Sequence, residues 1–232
     1  MHYFFAHEIK DNTAYIHDKE ILTRIRALRI ESHEKILINY EKKIYEAYLV
    51  EYTKSKAFFE LIKEIPPVKQ QLDLTFIQAL PKKKKFEFII EKAVESGFSK
   101  IIPVNSKFTV QKYMEHKVER YNRIALQAAM QCESRILPEV FELIDIEKIK
   151  PESKLNIVLY ERAENSLKNI LRSNPDCESI TIVAGAEGGF SSEEITQLEE
   201  KGFLVAGIPG NILRCETVCI AAGAILNYEY QS

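Results

Sequence analysis

The chain has 232 residues, of which 46% are hydrophobic and 28% are charged, and its formal net charge at pH 7 is −2. This length suits one large domain, or a medium domain joined to a small one, with enough apolar residues for a core. No apolar run is long enough to span a bilayer, and the start MHYFFAHEIKDN lacks the basic and apolar regions of a signal peptide, so we expect a cytoplasmic protein without membrane contact.

Residues 1 to about 65 are predicted to be rich in β-strands and to form a small barrel, because apolar and polar residues alternate there. The predicted strands are His2–Phe5, Lys35–Tyr40, Ile44–Tyr52 and Phe58–Ile62, with Glu41-Lys42-Lys43 as a hairpin connection. Between the first two lies the segment Leu22–Arg29, which carries Arg24, Arg26 and Arg29. Two interpretations stay open: guanidinium groups that bind RNA phosphates, or a surface helix with exposed arginines.

Pro66-Pro67 breaks the pattern and marks the predicted domain boundary, so we expect domains 1–67 and 68–232. Strands and helices then alternate, which predicts an α/β domain with a mostly parallel sheet. The predicted elements are strand Leu72–Leu80, helix Phe86–Ser96 ended by Gly97, strand Lys100–Val104, helix Lys117–Cys132, strand Leu155–Tyr160 and a helix at about 165–173. Ordinary connection rules predict no knot.

Basic residues are concentrated in the middle of the chain. Residues 81–123 hold 11 Lys and Arg against 5 Asp and Glu, whereas residues 139–202 hold 7 against 14. The run Lys82, Lys83, Lys84 and Lys85 follows a predicted strand, and Arg123 lies on the next long helix. These side chains are candidates for contacts with an RNA backbone, although such runs also occur as solvated loops.

The stretch from Ile180 to Cys219 organises the rest of the chain. Strand Ile180–Gly185 leads into GAEGG, and Ser191 with Glu194 forms a predicted capping box for a helix that ends at Lys201-Gly202. Strand Phe203–Ile208, a bend at Pro209-Gly210-Asn211 and a long apolar helix to Tyr228 follow. Loops at the carboxyl ends of parallel strands bind ligands in open α/β sheets, but the glycines could equally serve only as turns. Neither common nucleotide-binding glycine motif is present.

Cysteine usage points to a reducing compartment and gives no sign of a metal site. The four cysteines, Cys132, Cys177, Cys215 and Cys219, form no C-x-x-C pair. Without a second pair of Cys or His at ligand spacing, no metal is expected. Cys215 and Cys219 lie one helical turn apart, which predicts a buried helix face.

The segments GAEGGFSSEE and GNILRCET resemble the GPEGG-F/L-S-x-x-E and LG-x-R-I-L-R-x-E-T-A signatures of RsmE-type methyltransferases, which belong to the SPOUT class. That family has a trefoil-knotted α/β domain that binds S-adenosylmethionine and methylates N3 of one uridine in 16S ribosomal RNA. Two departures are Ala186, where the family has Pro, and Pro209-Gly210-Asn211-Ile212, where it has Leu-Gly-x-Arg. Both keep a glycine at the turn.

The resemblance extends over nearly the whole chain. Residues 22–34 resemble the family's PUA-like RNA-binding barrel, with Arg29 matching its last arginine. The β-α-β unit that contains the lysine run resembles the family block K-x-x-K/R-x-E-x-I-I-x-K-A-T-E-L-G-V-x-x-I-x-P, which Lys92-Ala93, Glu95, Gly97 and Pro103 match. Gln131, Cys132 and Pro138 match A-x-x-Q-S/C-x-R-x-x-x-P, but Ser134 takes the arginine position and Arg135, the candidate RNA contact, follows it.

The resemblance implies three cofactor loops, a 16S rRNA substrate within the small ribosomal subunit, and a homodimer. The implied cofactor-binding residues are Leu159, Tyr160, Glu161, Gly185, Glu187, Gly188, Gly189, Ile208, Gly210, Ile212 and Leu213. Arg214 is the candidate that stabilises the uracil anion or a flanking phosphate. Glu216 would orient Arg214 or accept the proton, or it would only interact with a helix N-terminus.

Two other functions stay open on the sequence alone. The first is a SPOUT methyltransferase that acts on another RNA or on a ribose 2′-hydroxyl. The second is a non-catalytic RNA-binding protein with a decayed cleft. The departures at Ser134, at Ala186 and at Thr23, which stands where the family has a histidine, allow this interpretation. The position of the methyl group would separate the first from the RsmE activity, and loss of S-adenosylmethionine binding would indicate the second.

Overall fold

The computed structural model describes residues 1–66, 72–82, 85–109 and 117–230. Contacts group the chain into two compact units, the first formed by residues 1–70 and 129–137 and the second by residues 71–128 and 138–232. Lys83 and Lys84 of the lysine run lie outside the described residues. Among the residues that are described, no helix combines the length and the apolar character needed to cross a membrane.

The first unit is built on a six-stranded sheet. Its strands are β1 (His2–Phe5), β2 (Glu8–Lys10), β3 (Thr13–Ile16), β4 (Lys35–Tyr40), β5 (Lys43–Tyr52) and β6 (Ala57–Ile65), in the order β1-β4-β5-β6-β3-β2. β1 pairs with β4 in parallel, and the other neighbours are antiparallel. The four predicted strands are confirmed, whereas β2 and β3, of three and four residues, were not predicted.

The hairpin between β4 and β5 is one residue shorter than predicted. Glu41 and Lys42 alone form the turn, with φ of 50° and 68°, and Lys43 already pairs with Tyr40 in the ladder. Two residues with positive φ match the twist of the flanking strands, although such turns usually contain glycine or asparagine.

The arginine-rich segment of the first unit is a helix, α1 (Lys19–Leu28). Asp18 caps it by accepting hydrogen bonds from the backbone N–H groups of Glu20 and Ile21. Ile21, Leu22 and Ile25 are buried, so the apolar stripe faces the core. The surface-helix interpretation is therefore right about conformation, while contact of these arginines with RNA stays a prediction.

The second unit contains a seven-stranded sheet flanked by helices. Its strands are β7 (Asp73–Ala79), β8 (Lys100–Asn105), β9 (Glu139–Val140), β10 (Ile144–Asp145), β11 (Leu155–Leu159), β12 (Ser179–Ala184) and β13 (Leu204–Ala206). Their order is β10-β8-β7-β12-β11-β13, with β9 also beside β8, and every pair is parallel. The predicted mostly parallel α/β sheet is confirmed.

The helices of the remaining chain are α2 (Lys85–Glu95), α3 (Val118–Gln131), α4 (Leu167–Arg172), α5 (Ser192–Glu200) and α6 (Cys215–Tyr230). The predicted capping box of α5 is present, with Ser191 and Glu194 hydrogen-bonded reciprocally. α6 packs closely on the end of α2, because a Cβ at Gly223 would lie only 2.5 Å from Cβ of Ser96. Cys215 and Cys219 are buried, which confirms the predicted buried helix face.

Candidate functional site

The carboxyl ends of three adjacent strands, β12, β11 and β13, meet at one cleft of about 560 Å³. The chain after each strand forms part of the wall, and the first residues of α2 and α6 complete it. The lining residues are Lys85, Leu159, Tyr160, Glu161, Gly185, Ala186, Glu187, Gly188, Gly189, Phe190, Ile208, Gly210, Asn211, Ile212, Leu213, Arg214, Cys215, Glu216 and Val218. A cleft of this size at this edge is where open α/β sheets bind small molecules.

The Gly-rich loop, residues 185–189, folds back on itself. The N–H of Gly189 donates to the carbonyl of Ala186 at 3.0 Å. Gly189 has φ of 67°, a left-handed conformation that favours glycine. A Cβ at Gly185 would lie 2.9 Å from Cα of Gly189, so both glycines are needed for this compact shape.

Gln78, at the carboxyl end of β7, holds the base of the Gly-rich loop. Its side chain is fully buried, and its amide nitrogen donates to the carbonyls of Ala79 at 2.8 Å and Gly185 at 2.9 Å. The amide oxygen of Gln78 has no hydrogen-bond partner among the described residues. Sequence reasoning did not find this residue, because a glutamine inside an apolar strand carries no motif.

A second loop supports the Gly-rich loop from the end of β8. Glu194 of α5 accepts a hydrogen bond from the backbone N–H of Lys107 at 2.7 Å with one oxygen and from Ser191 at 2.8 Å with the other. A Cβ at Gly188 would lie 2.9 Å from Cβ of Phe108. Gly188 is therefore required for contact with this loop as well as for lining the cleft.

The third loop begins where β13 meets the segment that follows β11. Tyr160 N–H donates to Ala206 at 2.9 Å, Gly207 N–H donates to Asn165 at 2.9 Å, and Leu167 N–H donates to Gly207 at 2.8 Å. Gly207 thus lies in close backbone contact with residues 160–167. Further along, Ile212 is 83% exposed although it lines the cleft.

Three charged side chains meet at the edge of the cleft. The ammonium of Lys85 lies 3.1 Å from Oε1 of Glu187 and 3.3 Å from Oε2 of Glu216. Glu187 also accepts hydrogen bonds from the backbone N–H of Lys82 at 3.3 and 3.2 Å, and Cys215 donates its thiol proton to Glu216 at 3.2 Å. The loop after β7, the Gly-rich loop and the start of α6 are therefore joined by charge-assisted hydrogen bonds.

These contacts shift the proton affinities of the two carboxylates. Partial burial favours a higher pKa for Glu187, but hydrogen bonds from its own N–H, from Lys82 and from Lys85 bring the pKa below its ordinary value. The hydrogen bond from its own N–H lowers the pKa of Glu216 against the effect of partial burial, and Cys215 and Lys85 lower it further. The hydrogen bond to Glu187 raises the pKa of Lys85, so all three groups are charged at neutral pH.

The two cysteines at the start of α6 are protonated at neutral pH. Burial, followed by the hydrogen bond to Glu216, raises the pKa of Cys215 to about 12, and burial raises the pKa of Cys219 to about 11. Because the thiolate is the reactive form, neither thiol is suited to act as a nucleophile.

All eleven predicted cofactor-binding residues and both predicted catalytic residues line the cleft. Their assigned roles stay predictions. Glu216 pairs with Lys85, and Arg214, which is exposed, has no ion-pair partner among the described residues. An ion pair between Glu216 and Arg214, the contact by which Glu216 would orient the arginine, is therefore not formed here.

The predicted RNA contacts are distributed over both units. Arg24, Arg26, Arg29 and Arg135 belong to the first unit, and Lys82, Lys85 and Arg123 belong to the second. Arg26 donates to the carbonyl of Lys54 at 2.7 Å. Asn39 donates to the carbonyls of Ser134 at 3.2 Å and Arg135 at 2.8 Å, which fixes the backbone that carries the Arg135 side chain.

Sequence reasoning grouped Lys85 with the RNA contacts and missed its place in the cleft. Lys85 is the first residue of α2, one residue before the predicted helix start at Phe86. The positive end of the helix dipole disfavours a cation there, but no sequence pattern indicated the carboxylates that offset this. Asn211, Cys215 and Val218 also line the cleft but carry no pattern that separates them from ordinary loop and core residues.

Comparison with known proteins gives consistent results. Residues 68–227 match the family model described as an RNA methyltransferase domain. The chain is 32% identical over 226 residues to Ribosomal RNA small subunit methyltransferase E of Mesomycoplasma hyopneumoniae, covering 95% of this chain and 96% of that protein. It is 28% identical over 232 residues to the protein of the same name from Aquifex aeolicus, covering 97% and 99%.

Solved structures share the fold. A Ribosomal RNA small subunit methyltransferase E from Neisseria gonorrhoeae, determined with S-adenosylmethionine bound, superposes with a TM-score of 0.86 at 24% identity, covering 99% of this chain and 98% of that chain. A methyltransferase from Legionella pneumophila, also with the bound cofactor, gives a TM-score of 0.83 at 21% identity, covering 97% and 96%. At these identities the likeness describes the architecture.

Proposed function

Because the chain belongs to the RNA methyltransferase family of Ribosomal RNA small subunit methyltransferase E, we propose that it methylates the N3 atom of one uridine in 16S ribosomal RNA with S-adenosylmethionine as the methyl donor. The observation that carries this proposal is the convergence of three loops, from β11, β12 and β13, on one cleft that contains every cofactor-binding residue predicted from the motifs.

The residues of the cleft fit S-adenosylmethionine. Leu159, Ile208, Leu213 and Val218 offer apolar surface for an adenine ring, and backbone groups of the glycine loops can approach it closely. The charged lining residues are Lys85, Glu161, Glu187, Arg214 and Glu216, three acidic and two basic. Such a set suits a ligand that carries a sulfonium, an ammonium and a carboxylate.

Among the acidic residues, Glu161 is best placed to accept hydrogen bonds from ribose hydroxyls. Its nearest described ion-pair contact, with Arg162, is long at 3.8 Å, so its oxygens are available. Oε2 of Glu161 would lie 3.7 Å from a Cβ at Gly189, which places this carboxylate beside the Gly-rich loop. Glu187, in contrast, is already engaged by Lys82 and Lys85.

The bound cofactor supplies an electrophilic methyl group on a sulfonium centre. For the uracil ring, the task of the protein is to stabilise the negative charge that forms as the N3 proton leaves. Arg214 lines the cleft and is exposed, so its guanidinium can bind a uracil oxygen. The lowered pKa of Glu216 makes it a poor proton acceptor. We therefore assign Glu216 a structural role and propose that the N3 proton of uracil leaves to solvent.

The finer fold of the family is proposed as well. β13 is the edge strand beside β11, yet α6, which follows it, packs against α2 and β12. The chain must cross the segment after β11 on this path, and the hydrogen bonds of Gly207 with residues 160–167 mark the crossing. We propose that it threads this segment to form a trefoil knot.

We propose that the first unit holds the predicted PUA-like RNA-binding barrel, 1–67, to which the contacts add residues 129–137 from within the predicted domain 68–232. Its sheet path begins at β1 and ends at β2, which are consecutive in the chain, as expected for a sheet that curls towards closure. Arg26 on α1 and Arg29, directly after its last residue, are exposed, and Arg135 is carried by the same unit.

A homodimer is proposed from the apolar residues that the second unit exposes. Phe88 on α2 and Ile220 and Tyr228 on α6 are exposed, Tyr228 at 79%, and these two helices pack together, so the three side chains would form an association site if they are contiguous. Sedimentation should give twice the chain mass. We also propose that the ribosomal RNA is methylated within the small subunit and that the protein is located in the cytoplasm.

The test is to incubate the protein with small-subunit rRNA and labelled S-adenosylmethionine, digest the RNA to nucleosides and identify the product by mass spectrometry. We expect 3-methyluridine and no product with transfer RNA. A 2′-O-methylated nucleoside would assign a different SPOUT reaction. Binding of RNA without cofactor binding or methylation would indicate a non-catalytic RNA-binding protein.

A further inference from the structure

Lys85 joins two parts of the cleft that are far apart in the sequence. Its ammonium lies 3.1 Å from Glu187 in the Gly-rich loop and 3.3 Å from Glu216 at the start of α6. The side chains of Lys85, Glu187 and Glu216 are 38%, 29% and 20% exposed. Ion pairs this sheltered are screened less by salt than pairs at the open surface.

The position of Lys85 at the start of α2 makes its two contacts important for its own stability. A cation at the first residue of a helix faces the positive end of the macrodipole, which is unfavourable unless carboxylates offset it. Glu187 and Glu216 supply those carboxylates. Both are lining residues of the cleft, as is Lys85 itself, so the three-residue bridge is part of the wall.

The bridge restricts the conformational freedom of the Gly-rich loop. Gly185, Gly188 and Gly189 give residues 185–189 a large conformational freedom that must be lost when the loop binds a ligand. Glu187 is the charged residue of this loop, and two points of the preceding segment hold it, the N–H of Lys82 and the ammonium of Lys85. Fixing the loop before the ligand arrives lowers the entropic cost of binding.

We propose that Lys85 is a positioning residue for the methyl-transfer reaction: its ammonium holds Glu187 against Glu216 and thereby keeps the cleft in the shape that binds S-adenosylmethionine. This assignment rests on the proposed function. It differs from the phosphate contact predicted from the lysine run, because it places the effect of Lys85 on the cofactor and leaves RNA affinity to other basic residues.

The primary test is calorimetric titration of Lys85→Met with S-adenosylmethionine, alongside steady-state kinetics with small-subunit rRNA. We expect the Kd for the cofactor to rise about tenfold, the scale of a partly buried ion-pair network, while the KM for RNA changes less than about twofold. Lys85→Arg, which keeps the charge and can pair with both carboxylates, should restore the Kd to within about threefold of the parent.

Lys154→Met is the matched control. Lys154 also pairs with a glutamate, Glu178, in the same unit, but at the opposite edge of the sheet, where β11 and β12 begin. Its replacement should leave both the Kd for S-adenosylmethionine and the KM for RNA unchanged. A double variant, Lys85→Met with Glu187→Gln, should bind the cofactor about as weakly as either single variant, because both break one bridge.

A pH series adds a readout that a purely structural lysine would not move. The groups that face this ammonium are Glu187 and Glu216, with Cys215 hydrogen-bonded to Glu216 and with Arg214 and Glu161 also in the wall. In the parent, protonation of Glu187 and Glu216 breaks the bridge, so cofactor affinity should fall as the pH is lowered through their lowered pKa values. In Lys85→Met the bridge is already absent, so this acid loss of affinity should be smaller than in the parent or in Lys154→Met.

The outcomes separate this proposal from the proposed function. A parent protein that neither binds S-adenosylmethionine nor methylates RNA overturns the proposed function. If the parent does both and Lys85→Met binds the cofactor equally well but has a raised KM for RNA, then Lys85 is a phosphate contact and the positioning role is wrong. If Lys85→Met does not fold, Lys85→Arg and Glu187→Gln supply the same comparison. Lys85→Arg should bind the cofactor nearly as well as the parent, and Glu187→Gln should bind it more weakly.

Discussion

Lysine–carboxylate ion pairs lie at both ends of the strands of the parallel sheet, but they have different roles. We call the end where the strands begin the amino edge and the end where they finish the carboxyl edge. At the amino edge, Lys154 pairs with Glu178, and these side chains are 61% and 57% exposed. Lys100 and Asp73 at the same edge are also exposed. At the carboxyl edge, Lys85 reaches two carboxylates that are more sheltered and belong to two different segments.

This difference in exposure and in partners indicates that the amino edge contributes to stability and the carboxyl edge to function. Exposed pairs at the amino edge contribute little to stability because solvent and salt screen them, and backbone contacts such as Asp73 N–H to Glu178 carbonyl at 2.9 Å tie the strand starts together. At the carboxyl edge, glycines and charged groups are gathered around a cleft. A substitution at the carboxyl edge should therefore alter binding or rate, and its match at the amino edge should alter stability alone.

The largest expected effect is that of Arg214→Ala at the carboxyl edge. Loss of a group that stabilises charge in the transition state should lower kcat by about 10²- to 10³-fold. The Kd for S-adenosylmethionine, measured by calorimetry, should stay within about threefold of the parent. Lys100→Ala, which removes a cation from the amino edge, is the control and should keep the parental kcat.

The kinetic pattern of Arg214→Ala identifies its role. A fall in kcat at saturating RNA assigns the arginine to the reacting uracil. An unchanged kcat with a raised KM for RNA would contradict this and assign it to a phosphate, since such a variant has lost only uniform binding.

The next effect compares two glycines, one at each edge. A Cβ at Gly185 would lie 2.9 Å from the backbone of Gly189, and crowding of this kind costs about 1–3 kcal/mol. In Gly185→Ala this cost falls on the loop that lines the cleft, so the Kd for S-adenosylmethionine should rise about 10- to 100-fold. Calorimetry of the folded variant measures this directly.

Gly202 provides the match at the amino edge, between α5 and β13. It has φ of 95°, and a Cβ there would meet no atom within 4 Å, so Gly202→Ala adds backbone strain without a clash. Its melting temperature should fall while its Kd for S-adenosylmethionine stays parental. Equal loss of cofactor affinity in the two variants would mean that the edges are not functionally distinct.

Much of the fold could be predicted because local signals agreed with the final structure. Alternating and continuous apolar runs identified β4, β5, β7 and β12, and the Ser191–Glu194 capping box marked the start of α5. Short elements gave no such signal: β9 and β10 contain two residues each and form only because β8 offers an edge to pair with. Which strands become neighbours is a long-range property that periodicity does not encode.

The residues of the site also fall into a group that could be predicted from the sequence and a group that could not. Glycines and the R-x-E-T motif located the loops, because special backbone conformations require particular residues. Lys85 and Gln78 were beyond this reasoning, since their roles depend on partners more than 100 residues away in sequence, Glu187, Glu216 and Gly185. A lysine in a basic run and a glutamine in a strand look like ordinary surface and core residues until the chain is folded.

The smallest expected effect compares two buried amides. Asn156 near the amino edge uses both of its amide atoms, donating to the carbonyl of Ser153 at 2.7 Å and accepting from its N–H at 3.2 Å. Gln78 at the carboxyl edge uses its nitrogen, while its oxygen is unpaired among the described residues. Replacing an amide whose atoms are both paired costs about 1–3 kcal/mol, whereas removing an unpaired buried oxygen recovers a similar amount.

Gln78→Met should therefore change the free energy of unfolding by less than about 1 kcal/mol, because its lost hydrogen bonds and its lost unpaired oxygen nearly cancel. Asn156→Leu has no such compensation and should lower the melting temperature by several degrees, at about 2–4 °C for each kcal/mol. In Gln78→Met the carbonyl of Gly185 loses its partner, so cofactor affinity should weaken about threefold while the melting temperature stays nearly constant. Thermal melts and calorimetry on both variants test this comparison. If the melting temperature of Gln78→Met falls as far as that of Asn156→Leu, the Gln78 amide is fully hydrogen-bonded. The carboxyl edge then depends on buried polar contacts as much as the amino edge does.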